Sequence, residues 1–82
     1  MKTVLSPKAA KYLERLNEPI KGRIKAALRK LEQEPPQGDI KSLSGQGGFR
    51  LRVSGYRVLF GIKADTIIIT DIAPRGQVYK GR

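Results

Sequence analysis

The sequence predicts an α+β fold: an N-terminal strand and an αα-hairpin packed on one face of a small antiparallel sheet, in the order β-α-α-β-β-β. Three observations predict it. Apolar residues recur at helical spacing from Ala9 to Leu31. The period then changes to two, with Phe49, Leu51 and Val53 alternating with Arg50 and Arg52. Two short turn signals, Ser54-Gly55 and Ala64-Asp65, divide the remainder into consecutive strands. At 82 residues the chain reads as one domain, 1–82.

Residues 2–5 form the first strand. Ser6-Pro7 then starts a helix, the hydroxyl serving as N-cap and the proline taking the first helical position, where its missing N–H costs nothing. Ala9, Tyr12, Leu13 and Leu16 follow at helical spacing, with Lys8, Lys11, Glu14 and Arg15 on the other face. Asn17-Glu18-Pro19 interrupts this pattern. Ile20, Ile24, Ala27, Leu28 and Leu31 make the apolar stripe of a second helix, which ends before Pro35-Pro36. Gly22 inside it costs about 1 kcal/mol relative to alanine. Residues 37–48, with four glycines around Leu43, read as a loop. Strands are expected at 49–53, 56–62 and 66–70, the last being Thr66-Ile67-Ile68-Ile69-Thr70.

Lys and Arg number 17 against 7 Asp and Glu, a net charge of +10 that points to a polyanionic partner. The excess is uneven: residues 1–40 carry nine basic and five acidic side chains, residues 41–82 eight and two. The helices thus read as compensated and the sheet half as holding the surplus. There is no Cys, which excludes disulfides, a thiolate nucleophile, a zinc knuckle and an iron–sulfur cluster. There is no His either, so the usual general acid–base group is missing, and few, scattered carboxylates leave no ligand set for a metal. No metal or other cofactor is expected. The N-terminal MKTVLSPKAA is not a signal peptide and nothing approaches membrane-spanning length, so a cytoplasmic protein without a membrane partner is expected.

The first hairpin can be registered from its turn. With Ser54-Gly55 as the loop, Val53 pairs with Tyr56, Arg52 with Arg57 and Leu51 with Val58. Phe49, Leu51, Val53, Tyr56, Val58 and Phe60 then share the face toward the helices, and Arg50, Arg52 and Arg57 share the other. Like charges directly opposite one another destabilise a sheet, and an anion between them relieves the strain. In the next hairpin a strict two-residue turn puts Asp71 on the core face opposite Val58. A three-residue turn or a bulge moves it opposite Arg57, which desolvation favours. After the last strand, Pro74 stops the ladder, and Arg75 lies on a constrained segment before Gly76. Tyr79 supplies a ring for stacking on a base and a phenol that can exchange a proton.

The order strand, αα-hairpin, Gly-rich loop, FRLRVSGYRVLFGI, isoleucine strand and PRGQVYK resembles the RelE/ParE superfamily of toxin–antitoxin toxins over nearly the whole chain. The most specific part is the RLRVSGYR hairpin followed, after the last strand, by an Arg and a Tyr four residues apart. The resemblance implies a small cytoplasmic toxin neutralised by an acidic, partly disordered antitoxin of the RelB kind. RelE-like members cut mRNA in the ribosomal A site, whereas ParE-like members poison DNA gyrase.

Carried over by position, the RelE-like catalytic set is Arg50, Arg57, Arg75 and Tyr79; beside it, Arg52, Lys41 and Lys80 are expected to bind RNA. The activity so implied is a metal-independent endoribonuclease. The 2′-hydroxyl attacks the adjacent phosphorus, leaving a 2′,3′-cyclic phosphate. The sequence departs from some relatives at Gly48, where they have Lys, and at Pro74, where others have His, and it places no Glu as an evident base. The competing expectations are a ParE-like gyrase inhibitor and a non-catalytic basic nucleic-acid-binding module.

Overall fold

Strand β1 (Lys2–Leu5) leads into helices α1 (Pro7–Arg15) and α2 (Ile20–Leu31), followed by β2 (Asp39–Ser42), β3 (Phe49–Val53), β4 (Tyr56–Lys63) and β5 (Thr66–Pro74). The computed structural model describes residues 1–45 and 47–75. The strands form one sheet in the order β1-β5-β4-β3-β2.

The helix starts follow from local chemistry. The Ser6 hydroxyl accepts a hydrogen bond from the Ala9 N–H at 3.1 Å, with Pro7 opening α1. At α2 the N-cap position is Pro19, whose ring carries no hydrogen-bond acceptor, and Glu18 takes over. Its Oε1 accepts from the Gly22 N–H at 2.9 Å. A Cβ at position 22 would lie 2.9 Å from that same oxygen, so the glycine leaves room for the carboxylate.

The two helices lay Ala9, Leu13, Ile24, Leu28 and Leu31 on Leu51, Val58, Phe60, Ile67, Ile69 and Ile72, forming one buried cluster. Phe49 stacks on Phe60 with ring centroids 5.3 Å apart, and Tyr12 meets Tyr56 edge-on at 6.5 Å. No helix among the described residues is long and apolar enough to cross a membrane.

The sheet differs from expectation in three respects. The expected loop at 37–48 contains β2, antiparallel to β3, with Ile40 opposite Leu51 and Lys41 opposite Arg50. The backbone groups along the outer edge of β3 need partners, and four residues with one inward isoleucine suffice to supply them. The sheet is also mixed, because β1 runs parallel to β5, Lys2 opposite Thr66 through Leu5 opposite Ile69. The helical hairpin carries the chain across the sheet from β1 to β2 at the opposite edge, and the meander β2–β4 brings it back so that β5 lies parallel to β1. Third, β5 continues to Pro74 and contains an extra residue.

That residue is Thr70. Phe60 pairs with Ile69 and Leu59 with Asp71, leaving Thr70 as a bulge whose hydroxyl donates to the Leu59 carbonyl at 3.2 Å. The turn itself has two residues, Ala64 and Asp65, both at positive φ. Asp71 therefore lies opposite Leu59, and the expected pairing with Arg57 is corrected: Ala73 faces Arg57. The bulge returns Ile72 to the core opposite Val58 without drawing a carboxylate inside.

Candidate functional site

The β3–β4 hairpin has the register read from its turn. Arg52 lies opposite Arg57, Leu51 opposite Val58 and Val53 opposite Tyr56. Ser54 and Gly55 both take positive φ, the two-residue turn whose twist matches the strands. The three arginines project from the face opposite the helices, in three different surroundings. Arg52 is exposed, Arg57 half-buried, and Arg50 only 6% exposed.

Arg50 is the only buried charged residue among those described. Its neighbours across the ladders are Lys41 on β2 and Leu59 on β4. Its Nη2 lies 4.0 Å from Oδ1 of Asp39, an ion pair beyond hydrogen-bond distance with a largely exposed carboxylate. Among the described residues its Nε has no hydrogen-bond acceptor. Withdrawing a guanidinium from water without satisfying it is unfavourable, and the compensation from a solvated carboxylate is small.

Arg75 follows β5 directly, and its N–H donates to the Gly55 carbonyl at 2.8 Å. That bond ties the end of β5 to the β3–β4 turn and sets Arg75 beside Arg52. Both line a hollow of about 230 Å³ with Asp39, Tyr56 and the Ser54-Gly55 turn. Lys41 is exposed on β2 opposite Arg50. Arg50, Arg52, Arg57, Lys41 and Arg75 thus share one face and its rim, while Tyr79 and Lys80 lie outside the described residues.

Two side chains at this site were not legible as site residues. Asp39 reaches the arginines only because residues 39–42 pair as a strand, opposite Arg52. Tyr56 belongs to the core face by parity, yet it also lines the Arg52–Arg75 hollow. Nearby Tyr12 has its phenol pushed above the usual tyrosine range by burial, then by Tyr56 and by the Asp71 carboxylate. It is correspondingly unsuited to act as a base. Gly48 also has a local cause: its φ is +85°, and a Cβ there would lie 3.1 Å from the Phe60 carbonyl oxygen.

Charge on the helices is less balanced than composition implied. Helix α2 carries Lys21, Arg23, Lys25, Arg29 and Lys30 and no acidic residue, the balancing carboxylates lying in α1 and the flanking segments. No three His, Cys, Asp or Glu side chains come together as a metal site among the described residues.

A family model described as the ParE toxin of type II toxin–antitoxin systems, parDE, matches residues 3–79. The fold is shared with solved toxin structures. One is in the RelB–RelE antitoxin–toxin complex of Methanococcus jannaschii: 25% identity, TM-score 0.77, covering 93% of this chain and 94% of that one. Another is in the RelE–RelB complex of Pyrococcus horikoshii OT3: 25% identity, TM-score 0.78, covering 93% and 96%. The RelBE2 complex of Mycobacterium tuberculosis shares the fold at 22% identity and TM-score 0.75, covering 90% and 96%. No curated protein matches in sequence. A family match along nearly the whole chain, on a fold held in common with RelE, shows that the chain belongs to the RelE/ParE superfamily and is a toxin of a type II toxin–antitoxin system.

Proposed function

We propose that this toxin, acting as a single domain, is a RelE-like endoribonuclease that cleaves mRNA in the ribosomal A site of the cytoplasm and so stops translation. The observation that carries the reading is the β3–β4 register, which sets Arg50, Arg52 and Arg57 on one face with Arg75 at its rim. Such a face is built for a phosphate. In the cleavage, the 2′-oxygen forms a bond to phosphorus as its proton leaves. The P–O5′ bond breaks, and the 5′-oxygen takes up a proton, giving a 2′,3′-cyclic phosphate and a 5′-hydroxyl. Arg50, Arg57 and Arg75 hold the charge that builds on the phosphoryl oxygens, and Arg52 and Lys41 bind flanking phosphates.

Asp39, in the hollow with Arg52 and Arg75, is the carboxylate available to accept the 2′-proton. Tyr79 stacks on a base and relays a proton to the leaving oxygen, with Lys80 on the RNA backbone. No metal enters this scheme. Modest acid–base equipment suits an enzyme whose substrate is oriented by the ribosome, since positioning replaces much of the chemical help.

The partner is an acidic antitoxin of the RelB kind, RelB being the partner named in complexes that share this fold. Purified toxin added to a translating extract tests the activity by mapping of mRNA ends on stalled ribosomes. A second reading, inhibition of DNA gyrase, is favoured by the ParE description of the matching family model. Intact mRNA together with failed supercoiling would establish that reading and remove the first.

A further inference from the structure

The hollow holding Arg52 and Arg75 does not end at the sheet. Asp39, Arg52, Val53 and Ser54 also line a second hollow, of about 340 Å³, whose far wall is the α2 flank bearing Arg23, Lys30 and the small residues Ala26 and Ala27. The two therefore form one trough. It begins at Arg75, passes Arg52 and turns over the rim of β3 onto α2. Four cations border it, and Asp39 is its one carboxylate. Arg23 and Lys30 are exposed and seven residues apart, two turns along one helix flank.

We propose that this trough carries the RNA strand away from the arginine face, with Arg23 and Lys30 each contacting a backbone phosphate beyond those held by Arg52 and Arg75. The inference rests on the RNA-cleavage reading. A strand with one phosphate among the arginines must continue past it, and the trough is a basic exit contiguous with that position. The alanines on the α2 side leave width for sugars and bases between the flanking cations.

Binding of 2′-O-methyl oligoribonucleotides, which cannot be cleaved by 2′-attack, tests it with the purified full-length toxin. The variant R23Q/K30Q removes both trough cations from α2. K25Q/R29Q removes the same charge from the same helix at two exposed residues that do not line the trough. All four positions are exposed, and circular dichroism verifies the fold of each variant. For an oligonucleotide long enough to follow the trough, R23Q/K30Q should weaken binding several-fold. It should also make the dependence of log K on log salt shallower by about 1.4, from about 0.7 per phosphate on a single strand. A dinucleotide should bind both variants as it binds the wild type.

Equal losses in the two variants would mean diffuse charge and overturn the trough. So would an R23Q/K30Q variant that loses the acidic antitoxin while keeping RNA. If R75A impairs binding of the long oligonucleotide and R23Q/K30Q does not, the trough alone falls. If the wild type neither binds RNA nor cuts ribosome-bound mRNA, the RNA-cleavage reading falls with it.

Discussion

Arg52 and Arg57 lie directly opposite one another across the β3–β4 ladder, with the buried Arg50 two positions from Arg52 on the same face. Opposed like charges store unfavourable energy, and an anion between them releases it. Phosphate at about ten times its dissociation constant should stabilise the protein by about 1.4 kcal/mol, a rise in Tm of roughly 5–10 °C for a chain of this size. Arg52→Ala should remove most of that rise, and Lys63→Ala, at the far end of β4, should keep it. Thermal melts in phosphate and in chloride at equal ionic strength measure the difference.

Arg75→Ala separates chemistry from docking. The hydrogen bond at this position comes from the backbone N–H, so it survives the substitution, and the exposed side chain leaves the stability within about 0.5 kcal/mol. Cleavage of ribosome-bound mRNA should fall by about 10²–10³-fold, the scale for removing one preorganised charge-stabilising group. Ribosome binding, followed by co-sedimentation, should change little. Equal losses in both would indicate a binding residue instead.

Glu18 and Gly22 should behave as a coupled pair. Gly22→Ala ought to gain about 1 kcal/mol in helix propensity, but the new methyl displaces a capping carboxylate of similar worth. The single substitution is therefore expected to be close to neutral. In a Glu18→Ala background there is no cap to lose, and Gly22→Ala should gain close to the full ~1 kcal/mol. Urea denaturation of the four proteins closes the cycle.

Tyr12 gives a pH dependence. Its folded-state phenol is raised above the unfolded value, mainly by burial, so the folded protein holds that proton more tightly than the unfolded chain. Its contribution is fully present below the unfolded pKa of about 10 and is lost as pH rises through the higher folded value. Tyr12→Phe should lessen the alkaline loss of stability. The difference between wild-type and variant denaturation midpoints across that range isolates the tyrosine from the many lysines.

What was legible in the residues follows how locally each feature is determined. The Ser6-Pro7 start, the helical stripe down to Leu31 and the pairing of Arg52 with Arg57 each rest on a few neighbouring residues, and all three are found. Strand β2 was missed because its conformation is imposed from outside, by the edge of β3, on a stretch with one inward apolar side chain. The parallel union of β1 with β5 joins residues more than sixty positions apart, and no local pattern encodes it.

At the site, alternation correctly assigned the arginines to one face but carried no information on depth. Arg50 and Arg52 have the same parity, yet one is buried and the other exposed. Asp39 was hidden for the same reason as β2, since its place beside Arg50 exists only once that strand is formed. The shift of Asp71 to face Leu59 depended on a single inserted residue whose position no turn signal marks.

The bulge at Thr70 separates the two ends of the longest hairpin. Before it, pairing is counted from the Ala64-Asp65 turn; beyond it, the phase is reset, and the segment leading to Arg75 is held by its own partners on β4 and by Gly55. The turn stands about 23 Å from the Ser54-Gly55 end, from the length of the eight-residue β4. For protein engineering this marks 64–65 as a graft site: a reporter peptide or affinity handle inserted there would lengthen the loop at the end remote from Arg75, while Thr66–Ile69 stay in register on β1.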